Sequence, residues 1–213
     1  MDVHHDITSR RMRVTFDGPG GHPWADRQVP NAADALGRAA AALAQLADAE
    51  RAKGAGASVT VTRVHGGESL TSIPARAWFE LDVRTLNATR LPALLDEQLQ
   101  VFNRARIDSS RGDPLRGGRS LAHTIDIIGD RPGEALDARH PLVQLANDAT
   151  RWHDIEPQFA SASTDANVPL SRGIPAITIG AGGVGGGAHT LDEWYTEHCR
   201  RPDRERAASI RSF

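Results

Sequence analysis

The chain has 213 residues, a formal charge of −2 at neutral pH and 39% hydrophobic residues, enough for one large or two small domains with a sizeable core, and two are expected. The near-neutral balance offers no global basic field for nucleic acid or an anionic membrane, and no apolar run approaches the ~18 residues of a membrane span. The single cysteine, Cys199, excludes an internal disulfide framework and a multi-thiolate zinc site. The N-terminal "MDVHHDITSRRMRV" lacks the charged-then-apolar layout of a secretory signal, so a soluble protein of the reducing cytoplasm is expected. Lys53 is the only lysine, and the arginines are scattered among acids.

"RRMRVTFDG" (10 to 18) alternates Met12, Val14 and Phe16 with polar residues, the period-2 pattern of a half-buried strand. "NAADALGRAAAALAQLADAERAKGAG" comes next, with Ala32, Leu36, Ala39, Leu43 and Leu46 at helical spacing, Asn31 as N-cap and Gly54 as stop. "SVTVTRVHGG" (58 to 67) and "SIPARAWFELDVRTL" (72 to 86) alternate again around a "GGES" turn region and predict a hairpin. Residues 88 to 108 carry the stripe Leu91, Leu94, Leu95, Leu99 and Phe102 of a helix, with Pro92 tolerable in its first turn. "LAHTIDIIGDRPG" (121 to 133) predicts a further strand.

This β-α-β-β-α-β order over residues 10 to 130 predicts an α+β two-layer sandwich, a mainly antiparallel sheet under two helices. Beyond it the pattern changes to a helix near 140 to 152, a polar "SASTDAN", a short helix near 165 to 172, and "IPAITIG" (174 to 180). That last run is apolar on consecutive residues and predicts a strand buried on both faces of a parallel α/β sheet. Some 80 residues supply too few βα units for such a sheet, so residues 131 to 213 read as an incomplete α/β domain.

Candidate chemistry lies in the polar loops. "GAGGVGGGAHTLDEW" (180 to 194) sets His189 behind six glycines. A phosphate cradle is excluded, since the run lacks the Lys-Ser/Thr of a P-loop. A plain flexible loop and a loop allowing close approach to a ligand both remain open. "STDAN" (163 to 167) caps a short helix or presents hydroxyls and a carboxylate. His22, in "GPGGHPW", is a solvated turn histidine or an acid, base or donor. Arg84, beside Asp82 in "FELDVRT", is a surface ion pair or a fork for a substrate carboxylate. The other histidines are isolated or terminal, and none forms a metal-ligand pair by spacing.

Taken in order, "RRMRVTFDGPGGHPWADRQVPNAADAL", "VTRVHGGESLTSIPARAWFELDVRT", "IGDRPG", "STDANVPLSRGIPAITIG" and "GGGAHTLDEW" resemble the dinuclear zinc metallopeptidases of the M-twenty family, which includes peptidase T, succinyl-diaminopimelate desuccinylase, acetylornithine deacetylase and glutamate carboxypeptidase. The resemblance implies that residues 10 to 130 are the family's lid and homodimerisation domain, and residues 131 to 213 the C-terminal part of its catalytic domain. It implies hydrolysis of an amide in a small peptide or an N-acyl amino acid, with two zinc ions as cofactors. His189 then matches a zinc ligand. His22 matches a lid histidine that reaches the partner's active site and helps hold the oxyanion. Arg84, Ser163, Thr164, Asp165, Gly182 and Gly183 match substrate-binding positions. Thr71 replaces the asparagine the family usually places before "SIP", and the tail "HCRRPDRERAASIRSF" is more charged than a closing helix packed on a core.

The family's N-terminal half, with the His-x-Asp and Glu-Glu metal and base residues, has no counterpart within residues 1 to 213. The resemblance therefore implies one zinc ligand here and an isolated chain without activity. A non-catalytic dimerisation or interaction module is the alternative.

Overall fold

The computed structural model describes residues 4–5, 7–54, 56–110, 120–180 and 183–196. Its elements in chain order are β1 (His4–His5), β2 (Thr8–Asp17), α1 (Ala32–Ala52), β3 (Ala57–Gly66), β4 (Arg76–Thr85), α2 (Leu91–Ser109) entered through a single 3-10 turn, β5 (Ala122–Arg131), β6 (Ala135–Leu136), α3 (Pro141–Trp152), α4 (Asn167–Leu170), β7 (Val184–Gly186) and β8 (Trp194–Thr196). Two compact units emerge, Met1–Ala176 and Ile177–Phe213.

The first unit is built on a four-stranded antiparallel sheet in the order β3-β4-β2-β5. Alternation decides its faces, because successive side chains of a strand point to opposite sides. Met12, Val14 and Phe16 of β2 and Ala77, Phe79, Leu81 and Val83 of β4 are buried, in one cluster with Ala35, Ala39 and Leu43 of α1 and Leu94 and Phe102 of α2. Tilted ring pairs Phe16–Phe79 (6.4 Å) and Phe79–Phe102 (5.8 Å) run from sheet to helix. The alternate positions Arg11, Arg13, Trp78, Glu80, Asp82 and Arg84 occupy the opposite face. This is the expected α+β two-layer sandwich.

Local signals set the helix ends where the sequence places them. Asn31 Oδ1 accepts the Ala33 N–H at 2.8 Å, and Gly54 takes a left-handed φ of 62° just past the helix end. The buried stripes differ in detail from the predicted ones. In α2 the core positions are Leu91, Leu94, Gln98, Phe102 and Ala105, while Leu99 is 42% exposed. The predicted stripe is off by one residue there because it tracks leucines in place of the i, i+3, i+4 geometry. Gln98 is fully buried, and neither its amide oxygen nor its nitrogen has a partner among the described residues.

In α1 the last core position is Glu50, with no exposed side-chain surface. It accepts from Lys53 Nζ at 2.7 Å and from Arg90 Nη2 at 2.7 Å, and Arg90 bridges on to Glu97 at 2.9 Å. The hydrogen bonds from Lys53 and Arg90 hold the Glu50 carboxyl below its ordinary pKa against the opposing effect of burial. The only lysine of the chain thus helps tie the end of α1 to the start of α2.

Residues 174–180 do not form the predicted doubly buried strand. No segment among the described residues pairs with them, and Ile174 and Ile179 are 55% and 52% exposed. A strand is defined by its neighbours, and an apolar run without a partner strand forms no ladder. The glycine run is likewise not a plain loop: β7 and β8 pair as an antiparallel hairpin within the second unit.

Gln98→Leu is expected to raise stability by about 1–2 kcal/mol, because it removes two buried polar atoms without partners while keeping the volume; denaturant unfolding measures it, and a loss would show that the amide has a hydration partner. Glu50→Gln is expected to lower Tm by a few degrees at pH 7. A carboxyl whose folded pKa is depressed contributes stability above its unfolded value, near 4.5, and loses it as pH falls through the folded value. The Tm difference between the two proteins therefore shrinks as pH drops below about 4.5.

Candidate functional site

His22 stands in the turn after β2. The backbone there is anchored by a bridge between Gly21 and Ile73, with the Ile73 N–H donating to Gly21 O at 2.7 Å and the Gly18 N–H to Ala75 O at 2.7 Å. His22 Nδ1 accepts the N–H groups of Trp24 and Ala25, each at 3.2 Å. Asp26 Oδ2 accepts the His22 N–H at 2.8 Å, and the Asp26 N–H returns to His22 O at 2.8 Å. The side chain is exposed, but two of these bonds hold its ring and two hold the backbone that carries it.

Arg84 lies at the other end of the sheet, in β4. Its Nε and Nη2 donate to the two Asp82 oxygens at 2.9 and 3.0 Å, and Arg11 Nε donates to Asp82 Oδ2 at 3.1 Å. Burial disfavours the charged form of Asp82, yet the bonds from Arg84 and Arg11 outweigh it and its pKa falls below the ordinary value. One edge of the Arg84 fork is thus engaged by its own neighbour. Two strand positions away, Glu80 takes hydrogen bonds from Arg13 and Arg63, and both guanidinium groups lie over Trp78, at 4.4 and 5.7 Å from its ring centroid. The carboxylates of Glu80 and Asp82 are 11% and 15% exposed beneath arginines that are 40% or more exposed, so this face presents guanidinium groups to solvent.

The polar segment before α4 reaches the same end of the sheet. Asn167, fully buried, donates through Nδ2 to Ile7 O at 3.1 Å and Pro132 O at 2.8 Å, and its Oδ1 accepts the Thr164 N–H at 2.8 Å. Ile7 N–H donates to Ala162 O, and Arg131 contacts Ser163 O at 3.5 Å and Asp165 at 3.7 Å. Thr164 Oγ1 accepts the Ala166 N–H at 3.2 Å in the turn before α4, but Ala166 holds the N-cap position and no side chain caps the helix, so the capping expectation fails. Asp165 stays 93% exposed on its side chain, while Ser163 Oγ is buried without a partner among the described residues. Ser9 pairs with both Arg84 and Arg131 across the sheet, so Arg84 and the 163–165 segment gather at one end.

His22 is excluded from that gathering. The β2–β4 register runs from Ser9↔Arg84 to Asp17↔Arg76, and His22 lies beyond the latter pair. At ~3.3 Å per residue this spans roughly 25 Å.

In the second unit His189 takes a left-handed φ of 64°, and its N–H donates to Glu193 Oε2 at 3.2 Å. A Cβ at Gly183 would overlap the Tyr195 ring, and one at Gly186 would sit 2.8 Å from Trp194 Nε1. These glycines therefore let two aromatic rings lie across the strand. Gly182, Cys199 and the charged tail lie outside the described residues. No three His, Cys, Asp or Glu side chains converge among the described residues, so His189 stands without the donor set a dinuclear zinc centre requires.

Sequence reading missed Asn167, Asp26 and Arg131, which fix the candidate residues through backbone contacts. Asp26 lacks the sequence signature of a capping box, which sets its acid three residues after a hydroxyl cap, whereas Asp26 stands four after His22. The reach of Asn167 across 160 residues of chain to Ile7 has no local signal.

Residues 8–108 match the family model described as peptidase dimerisation domain. No curated protein matches the chain. Among solved structures, a tripeptidase from Staphylococcus aureus superposes with a TM-score of 0.67 at 15% identity, over 90% of this chain and 48% of its own. An aminopeptidase PepT from Bacillus cereus gives 0.66 at 17% identity, again over 90% and 48%. An amidase of the hydantoinase/carbamoylase family from Burkholderia vietnamiensis gives 0.62 at 15%, over 77% and 37%. The chain thus spans about half the length of these peptidases or less, and at such identities the likeness is one of fold. Residues 8–108, which hold three of the sheet's four strands and nearly all of both its helices, match the peptidase dimerisation domain, and the solved peptidases share the fold.

Proposed function

We propose that the chain forms a homodimer through its dimerisation domain and serves an enzyme that hydrolyses an amide bond in a small peptide or an N-acyl amino acid. The observation that carries this reading is the separation of His22 from Arg84 and the 163–165 segment along one rigid sheet. A small substrate cannot span roughly 25 Å, so His22 and Arg84 of one chain do not share a site. Two-fold pairing along an edge strand reverses strand direction between copies, which sets the His22 end of one sheet level with the Arg84 end of the other. The site is then composite.

The exposed edge of β3 suits such pairing, since it is the sheet's first strand and carries unpaired backbone groups. Beside it a groove of about 350 Å³ is lined by Ala40, Ala44, Ala47, Val59 and Val61. In the composite site the His22 imidazole donates to the oxyanion as the carbonyl becomes tetrahedral, and Arg84 with the 163–165 segment receives the substrate's polar ends. Gly182 and Gly183, by the family resemblance, are further substrate-binding positions.

His189 is proposed as a zinc ligand that depends on further ligands absent from the described residues, so no step through the metal is derived from this chain, and alone it is inactive. Among the described residues no helix is long and apolar enough to cross a membrane, and the single cysteine fits a reducing cytoplasm. The non-catalytic module would keep the dimer and need neither His22 nor His189.

Sedimentation of the purified chain is expected to show a concentration-dependent dimer, and Ala44→Asp, at an exposed groove position, to weaken self-association by about tenfold, the ~1.4 kcal/mol that one buried unpaired charge readily exceeds. A strict monomer at high concentration overturns the dimer. Metal analysis after zinc exposure and dialysis is expected to find no tightly held pair of ions. Two per chain would overturn the inactivity.

A further inference from the structure

The hydrogen bonds around His22 fix more than its position. A neutral imidazole has one N–H and one ring nitrogen with a free lone pair. Nδ1 accepts two backbone N–H groups, so the ring proton sits on Nε2. We propose that His22 is held as an Nε2–H donor by a reciprocal capping box in which Asp26 is the positioning residue. This rests on the reading of His22 as the oxyanion donor and specifies how the chain prepares that donor.

The arrangement has the logic of a helix N-terminus. His22 stands at the cap, Pro23 comes next where no N–H is needed, and the Trp24 and Ala25 N–H groups are the orphans that the cap side chain satisfies. Asp26 closes the box in return by accepting the His22 N–H at 2.8 Å. An imidazole replaces the usual hydroxyl or carboxamide. The exchange leaves a second ring nitrogen, on the far side of the ring from the cap, as a donor.

Gly21 makes the closure possible. A Cβ there would lie 2.8 Å from Asp26 Cβ and 3.0 Å from Asp26 Oδ2, so any side chain would push the carboxylate off the His22 N–H. The Gly21–Ile73 bridge then links this box to the loop before β4. Trp24, 77% exposed, has Arg27 at 5.7 Å from its ring centroid, and Arg27 Nη1 donates to Trp24 O at 3.3 Å. The box therefore holds its geometry within the turn itself, without help from a core. An imidazole fixed in one tautomer meets an oxyanion without reorientation, which is what makes a preorganised donor effective.

The experiment is imidazole ¹H–¹⁵N correlation and amide exchange on the full chain, alone and with Asp26→Ala, Asp26→Asn and His22→Ala. His22 is expected to show the Nε2–H tautomer with Nδ1 as acceptor. His22→Ala and Asp26→Ala are each expected to speed exchange of the Trp24 and Ala25 amides about tenfold, the loss of about one hydrogen bond's net worth. Asp26→Asn keeps a carbonyl acceptor and is expected to restore slow exchange and the tautomer. An Nδ1–H tautomer, or Trp24 and Ala25 exchange indifferent to His22→Ala, overturns the proposal. These readouts need no catalysis, so a failed dimer or absent hydrolysis leaves them interpretable, and the tautomer is tested apart from the catalytic reading.

Discussion

The structure depends on the antiparallel register of β2 against β4. Ten consecutive pairs, from Thr8↔Thr85 to Asp17↔Arg76, fix both strands over their whole length. A slip by one residue would turn one strand over, sending either Val14 and Phe16 of β2 or Phe79 and Leu81 of β4 to solvent and bringing Arg13, or Glu80 and Asp82, under the helices. The buried ring contacts and the ion pairs on the opposite face therefore enforce the same register from both sides. Because the register is rigid, the distance from the turn beyond Asp17 to the surroundings of Arg84 is rigid as well. The separation of the candidate residues is a consequence of strand pairing and does not depend on loop conformation.

Charge is handled differently at the two surfaces of this sheet. On the face away from the helices, Glu80 and Asp82 lie beneath arginines, and each of these two carboxylates receives two guanidinium partners while the arginines keep part of their hydration. Such partly exposed pairs contribute little to stability singly. Their effect here is directional, since Asp82 holds Arg84 and Arg11 upright over the sheet. On the helix side a buried acid, Glu50, stands at the end of α1, where Lys53 and Arg90 meet it. Loss of either cation would leave a carboxylate in a place built for apolar packing. Asn167 does the comparable work for the 162–170 segment, satisfying two carbonyls that no strand reaches.

How much of this was legible depended on range. Alternation of Met12, Val14 and Phe16, and of Ala77, Phe79, Leu81 and Val83, is a local pattern, and it placed the sheet and its hairpin. Asn31 and Gly54 are local signals too, and they placed the ends of α1. The failures required knowledge of a neighbour. "IPAITIG" has the composition of a buried strand, but strand formation is decided by the partner, and none of the described residues provides one. Leu99 outscored Gln98 on hydrophobicity, while helix geometry put Gln98 in the core. At the candidate site His22, Arg84 and the 163–165 segment were nameable from the resemblance. That they divide between two ends of a sheet was not, because spacing in sequence does not measure spacing along paired strands.

The glycines before His189 sharpen the same point. Their flexibility suggested a loop free to approach a ligand, yet in the hairpin the space they leave is taken by Tyr195 and Trp194. Glycine here serves close packing of rings on a strand, and the left-handed turn at His189 results from the way the hairpin closes, through the Thr190 N–H and hydroxyl, which both donate to Gly187 O. His22 shows the complementary case, a histidine in an exposed turn whose geometry is nonetheless specified by the hydrogen bonds of the backbone around it. That turn is fixed to the sheet by the Gly21–Ile73 bridge, at the end opposite Arg84 and the 163–165 segment. The pairing that buries the core thus also keeps the His22 turn and the surroundings of Arg84 at opposite ends of one rigid sheet.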